Sequence, residues 1–598
     1  MAFTPPAAFT TRPTLQGTFG MSASTHWLAT AAAQAVLERG GNAFDAAVAG
    51  AFVLHVVEPH LNGPGGDLVA LFATADDPTP VVLSGQGPAP ARATREHYRA
   101  EGLELVPGSG ALAAAVPGAV DAWLLLLKDH GTWELADVLA FAIGYAEDGH
   151  PALERVCATI RTVAPLFAEH WPTSAAHWMP GGRIPEPGEL IANPAYARVL
   201  RGLIGAGDPA GSREERIEAA RAEWATGAVA TASAAFVRTP HRHSDGADHA
   251  GVIAEDDFAA YRAAYEPAVT LDFRGSTIAK AGAWTQGPAL LQTLALLDGF
   301  DDDRLDPSTE LGAHTVLEAQ KLAYADRDAY YGDADVPLDV LLSPGYANGR
   351  RALIGETASA EVRPGDVPGV APFRPPLRTS YTPPSGVASE GVGEPTVSRS
   401  GETRGDTCHI DVVDRWGNIV SATPSGGWLQ SSPTIPELGF CLGTRLQMTW
   451  LEEGGPATLT PGRRPRTTLT PTLVLRDGVP VTALGSPGGD QQDQWQLLYL
   501  LRTIVGGYTP QQAIDAPALH TTSIAESFWP RTWTPAGAVV EDRLGDDVIA
   551  GLAARGHRVV RAGDWTLGRL SSVGRDPGTG VLSAAANPRG MQGYAAGR

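Results

Sequence analysis

The sequence predicts an α+β fold, and three observations lead there. Helix-forming and strand-forming stretches come in clusters rather than in strict alternation, which argues against a doubly wound parallel sheet. Strand-like segments dominate from Thr407 to the carboxyl end, whereas long helical stretches lie before it. Glycine (69) and proline (48) are frequent among 598 residues, so the chain is globular and rich in turns.

The elements follow in order. Thr30–Arg39 is built of helix formers and stops at Gly40-Gly41, a good carboxyl-terminal cap. Asn42 then caps a second helix, Ala43–Val57, with Asp45 in its first turn. That helix is apolar nearly all round and belongs between layers. Asn62-Gly63-Pro64-Gly65-Gly66-Asp67 feeds the strand Leu68–Phe72; it is either a backbone approaching a substrate or a tight turn between buried elements. No Gly-Lys-Ser/Thr follows, so it is not a phosphate loop. Val81–Leu83 reads as a buried strand, with a loop at Gln86–Pro90, and helices follow at Ala119–Lys128 and Leu135–Asp148. Glu255–Tyr261 starts another helix, and Thr315–Tyr330 reads as amphipathic with Val316, Ala319 and Ala323 on one buried stripe.

From about Pro372 to Asp406 the composition turns to Pro, Ser, Gly, Thr and Glu without periodicity, the signature of a functional or processed loop. A hairpin follows directly, its two alternating strands flanking Arg415-Trp416-Gly417-Asn418. Thr468–Leu475 and Val481–Leu484 are strands around an Asp477-Gly478 turn, and Gln491–Val505 is helical.

A net charge of −21 excludes nucleic acid or an anionic membrane as the main partner. Cys157, Cys408 and Cys441 cannot build a disulfide framework or, alone, a metal site. The amino terminus lacks the pattern of a signal peptide, and the apolar run Ala46–Val57 is too short to span a bilayer, so a soluble cytoplasmic protein is expected. His241, His243, Asp245, Asp248 and His249 have ligand chemistry, but charge-rich solvated loops look the same.

Three stretches can do chemistry. Asp406-Thr407 offers an amino-terminal threonine: after cleavage between the two, the hydroxyl is activated by its own α-amino group, whose pKa near ~8 suits a general base. The plainer reading is a threonine that starts a strand. Cys408 is a rival nucleophile, but strand neighbours face opposite ways, so only one of the pair can serve. Gly488-Gly489, after Ser486-Pro487 and before a helix, is the best oxyanion-hole candidate, though such a stretch is as often a turn.

Together these stretches resemble the γ-glutamyltransferase (glutathione hydrolase) family of N-terminal nucleophile hydrolases. The likeness covers most of the chain and is carried by Gly40–Ala47, Val57-Glu58-Pro59-His60, Val116-Pro117-Gly118, Glu318–Arg327, Thr407-Cys408-His409, Gly417–Ser421 and Gly485–Gly489. It implies a four-layer αββα sandwich, cut between Asp406 and Thr407 into a large segment (1–406, with the linker 372–406) and a small one (407–598) that stay together as one interleaved domain. It further implies Thr407 as nucleophile, Ser425 as the hydroxyl that orients it, Gly488 and Gly489 as the oxyanion hole, and Thr467-Thr468 as contacts to the substrate carboxylate. No metal and no organic cofactor is called for.

The departures bear on the substrate. The family's arginine for the glutamyl α-carboxylate falls at Gln86, its substrate-binding asparagine near Gly427, and its ammonium-binding aspartate at Met448. A pocket without these charged contacts should bind a γ-glutamyl head group poorly. Arg445 either favours a small acidic acyl group, oxamate-like or a dicarboxylic monoamide, or is a structural salt-bridge partner. The expectation is therefore a self-cleaving threonine amidohydrolase acting on a small acidic amide, with its own two segments as partners and a higher oligomer left open. A true γ-glutamyl hydrolase and transpeptidase, or an inactive binding protein, are the alternatives.

Overall fold

The computed structural model describes residues 3–208, 211–381, 407–591 and 593–598. Ile410–Asp414 and Ile419–Ser425 pair antiparallel as the expected hairpin, with Ile410 opposite Ala422. The Asp414 carboxylate closes its turn by accepting the N–H groups of Trp416, Gly417 and Asn418. Gly417 takes a left-handed φ of 106° that other residues resist.

The hairpin is the centre of a seven-stranded antiparallel sheet. Its order is Tyr594–Gly597, Gly20–Ser24, Ile410–Asp414, Ile419–Ser425, Asp67–Ala73, Val81–Gly85 and Ala264–Pro267. A second seven-stranded sheet runs Leu15–Gly17, Leu582–Ala586, Ser571–Arg575, Val479–Gly485, Thr472–Arg476, Ser276–Lys280 and Val269–Phe273. Each sheet takes strands from both sides of Thr407, so residues before and after that point share one core. Val69, Leu71, Val413, Leu473, Leu475 and Val573 fill the space between the sheets.

Helices cover both outer faces. Ala43–Val57, Ala119–His130 and Leu135–Asp148 cover the hairpin sheet, and Gly287–Leu297, Glu310–Tyr330 and Gln492–Leu500 cover the other. This is the expected αββα sandwich. Ala43–Val57 starts at a capping box between Asn42 and Asp45 and is buried along its whole length, as its all-round apolarity requires. Among the described residues no helix is long and apolar enough to cross a membrane.

Two expectations need correction. Glu310–Tyr330 is not buried along one stripe: every residue from Gly312 to Tyr330 is inside, because charged members find buried partners, such as Lys321 on Glu318 and Arg350 on Asp326. The linker is also structured over its first ten residues. Phe373 rests against Trp450, Arg378 bridges to Thr532, and Tyr381 meets Trp529 edge-on at 4.8 Å. Residues 382–406, with Asp406 and the expected scissile bond, lie outside the described residues.

Candidate active site

Strand alternation decides which of Thr407 and Cys408 can serve a site between the sheets. Thr407, His409 and Asp411 face the second sheet, where the Ser571 hydroxyl donates to Asp411 at 2.8 Å. Cys408 and Ile410 face the helical layer. There the Cys408 thiol donates to Glu58 and accepts from Asn62, both at 3.1 Å. Burial, and then the Glu58 carboxylate, push its pKa well above the thiol range, so it stays protonated.

The register across three strands builds a row on the inter-sheet face. Thr407 pairs with Ser425, and Ser425 pairs with Asp67. The two hydroxyls are 3.2 Å apart. Gln86, just past the next strand, helps to hold down the Asp67 pKa and donates to the Gly87 carbonyl at 3.1 Å. Thus Thr407, Ser425 and Gln86, chosen from sequence, lie along one row, with Asp67 in register beside Ser425.

The Gly63–Gly66 loop explains how the row is held. It packs on the backbone of Ser425–Gly427, with bridges from Asn62 to Gly426 and from Gly65 to Leu442. A Cβ at Gly66 would overlap the carbonyls of Ser425 and Gly426. Its glycines serve contact between buried elements, the second of the two readings left open by the sequence.

Arg445 does not stand free. Its Nε and Nη2 donate to the two Asp67 oxygens at 2.5 and 2.7 Å, and both side chains are buried. Burial raises the Asp67 pKa, with Arg445 pulling the other way. This is the salt-bridge reading of Arg445. Near it, Met448 packs with Trp428 and Phe528 in a buried apolar trio.

The glycine loop after Gly485 continues the second sheet toward this row. Ser421 donates to the Leu484 carbonyl, and Gly485 lies so close to the His409 ring that a Cβ there would overlap it. The chain thus passes from the level of Ser421 to that of His409 and its partner Thr423, and Ser486–Gly489 follows. The Gly488 carbonyl accepts from Gln492, and Gly488 itself has a φ of 126°. A trans peptide sets C=O and N–H on opposite sides, so the Gly489 N–H points away from Gln492. The Gly489 carbonyl accepts from Gln286 at 3.4 Å.

Gln286 also joins this loop to Thr467, whose carbonyl accepts the Gln286 N–H. The Thr467 hydroxyl accepts from Leu469 N–H at 3.3 Å, whereas the Thr468 hydroxyl is buried with no partner. Around them lies a charged cluster that sequence reading missed. Arg327 is ion-paired to Asp490 and Asp328, and Ser527 donates to Asp490 and accepts from Arg466. Only Arg327 carried a signal, as part of the Glu318–Arg327 motif; the partners are far apart in sequence. His409 is likewise fixed between Thr423 at 2.9 Å and Asp411 at 2.8 Å.

The histidine-rich stretch does not converge on a metal. His243 accepts from Leu112 N–H, His249 bonds Asp245 and Glu101, and Arg242 takes Asp248. Among the described residues, His314, Glu318 and His557 bring ligand atoms within 4.8 Å of one another. There Lys321 and Arg363 already neutralise Glu318, which fits a cation poorly.

Comparison with known proteins adds to this geometry. A family model described as gamma-glutamyltranspeptidase matches residues 29–597. The chain is 32% identical over 587 residues to the "Glutathione hydrolase-like YwrD proenzyme" of Bacillus subtilis, covering 96% of this chain and 98% of that one. It is 30% identical to the "Oxamate amidohydrolase proenzyme" of Klebsiella pneumoniae, covering 97% and 98%. The solved structure of LmbA2991HD is 54% identical, with a TM-score of 0.93 over 99% of this chain and 100% of that chain.

Proposed function

Because the chain belongs to the gamma-glutamyltranspeptidase family, we propose that it is a self-cleaving threonine amidohydrolase for a small acid amide without an α-ammonium group. The Asp406–Thr407 bond is cut first, leaving 1–406 and 407–598 joined through their shared sheets. The freed α-amino group of Thr407 takes the hydroxyl proton as Oγ attacks the substrate carbonyl, forming the Oγ–acyl bond. Gly488 and Gly489 N–H groups receive the oxyanion. The C–N bond breaks, the amine leaves with the shuttled proton, and water hydrolyses the ester to acid and free Thr407. Ser425, at 3.2 Å, orients the nucleophile.

The observation that carries the substrate reading is the Met448–Trp428–Phe528 trio. By the resemblance Met448 falls where the family has its ammonium-binding aspartate, and a thioether packed in an apolar trio cannot pair the ammonium that a γ-glutamyl group brings. Asp67 does not supply that carboxylate, since Arg445 occupies both its oxygens. That proteins similar to this chain are named an oxamate amidohydrolase and acylases supports a non-glutamyl substrate.

The test is an amide panel on processed protein: oxamate, malonamate, succinamate and γ-glutamyl-p-nitroanilide. Turnover of one of the first three well above the last is expected. Efficient release of p-nitroaniline would sink the small-acid reading in favour of a γ-glutamyl hydrolase. Failure to process, with no hydrolysis across the panel, would point to a binding protein.

A further inference from the structure

The chain beside Thr407 is held from the helical side by a buried carboxylate. Glu58 ends the helix Ala43–Val57 and is fully out of solvent. One of its oxygens, Oε2, accepts both the Thr25 hydroxyl at 2.5 Å and the Cys408 thiol at 3.1 Å. Two donors on one oxygen suit the ionised form, which is acceptor-only. Its charge is felt around it: after burial, Glu58 is the next cause that raises the Cys408 thiol and the Tyr594 phenol. Asn62 donates to the same thiol, and Thr25 N–H donates to the His409 carbonyl. Cys408 is bonded directly to Thr407, so Glu58 touches the residue that follows the proposed nucleophile.

We propose that Glu58 is the counter-charge for the ammonium that forms on Thr407 when its α-amino group takes the hydroxyl proton, a positioning role exerted across Cys408. This rests on the reaction proposed above and adds a partner for its proton shuttle. The hydroxyl O–H breaks, its proton passes to the amine, and the ammonium later gives that proton to the leaving amine; Glu58 gains and loses none. Thr407 is 2% exposed, and burial works against an ammonium. An opposite charge close by offsets this and makes the amine a better proton acceptor. The other ionisable groups around Thr407 are engaged or neutral. Asp67 lies two strands away behind its Arg445 fork, and Asp411 bonds His409 and Ser571. Burial keeps His26 and His60 neutral, His26 at about 3, and Arg155 and Arg569 act on His60.

The test uses the processed full-length protein with Glu58→Gln, Glu58→Asp and Cys408→Ala. The Thr407 amine is titrated without substrate, from the pH dependence of its competitive labelling by acetic anhydride, read by mass spectrometry on the 407–598 segment. Glu58→Gln should lower the midpoint by about 0.5–1 pH unit. Glu58→Asp and Cys408→Ala keep the charge and should stay within about 0.3 of wild type. On the amide that the panel identifies, Glu58→Gln should lower kcat about 10-fold with KM within about twofold. The acid limb of its kcat profile should move down with the labelling midpoint, whereas a merely structural clamp would lower kcat and move neither. An unmoved midpoint in Glu58→Gln, or an equal fall in Cys408→Ala, overturns the proposal. Should Glu58→Gln stay uncut, the other two variants decide: cleavage with the wild-type midpoint upholds the charge, and a lowered midpoint in either overturns it. A midpoint that moves in a protein hydrolysing none of the panel would keep Glu58 as counter-charge and defeat the proposed reaction. Wild type left uncut at Thr407 overturns both.

Discussion

Arg445 grips Asp67 through a side-on fork, Nε on one carboxylate oxygen and Nη2 on the other, two strands away from Thr407 and out of solvent. Removing one partner of such a buried pair strands the other. Arg445→Ala is expected to destabilise the protein by about 3–5 kcal/mol. The sign of its pH dependence follows from Asp67, whose pKa is already raised by burial and loses its main opposing influence in the variant. The variant's deficit should shrink as pH falls, because a neutral carboxyl needs no guanidinium. Denaturant midpoints for both proteins at pH 7 and pH 5 check this, and an equal deficit at both would refute it.

Thr407 and Cys408 should respond in opposite ways. Thr407→Ala is expected to leave one uncut chain and to lower kcat by at least about 10³-fold. Cys408→Ala removes a thiol that faces the helices and should cost about 1–2 kcal/mol of stability while cleavage proceeds. Denaturing electrophoresis and chemical denaturation separate the two effects; an uncut Cys408→Ala that is otherwise folded would reopen the choice of nucleophile.

Gly66 sets the position of Ser425 by contact alone. A methyl group there meets two backbone carbonyls, which cannot swing aside as a side chain can. Gly66→Ala should therefore slow self-cleavage by about 10-fold or more through a shifted Ser425, since a displacement of about 1 Å suffices for such losses. A time course of band conversion is the measurement, and wild-type speed would show that Ser425 does not govern the nucleophile.

Acid should weaken the fold through histidines held neutral. Burial lowers His55 and His520 from 6.5 to about 3. Below 6.5 the unfolded chain binds these protons and the folded one does not, so stability is full above that pH and falls on acidification. Each group contributes a slope of about 1.4 kcal/mol per pH unit. Urea midpoints from pH 7 to 5 should drop, and His520→Asn should flatten the profile by about one proton. An unchanged slope in that variant would count against it.

What the sequence made legible was local or carried by motif. The hairpin announced itself by alternation around Gly417-Asn418, and Ala43–Val57 by its Asn42 cap and apolar circumference. The opposed faces of Thr407 and Cys408 followed from the strand period. Asp67 was visible only as the end of a glycine loop, because nothing in a linear chain tells residue 67 that it will meet residue 445. The cluster of Arg327, Asp490 and Ser527 was hidden for the same reason, its members lying far apart in sequence. The Glu310–Tyr330 helix misled because its polar residues read as a wet face, while tertiary ion pairs carried them inside.

The sharing of both sheets by residues on either side of Thr407 has a further consequence. Under the proposed cut, folding of the uncut chain is unimolecular, but reassembly of the mature protein is bimolecular and must rethread strands into two sheets at once. The mature form then owes its persistence to a slow unfolding rate rather than to an equilibrium it can re-enter. Diluted from denaturant, uncut Thr407→Ala protein should regain its fold where the cleaved enzyme does not. The precursor would act, in effect, as a single-use template for an assembly its products cannot repeat.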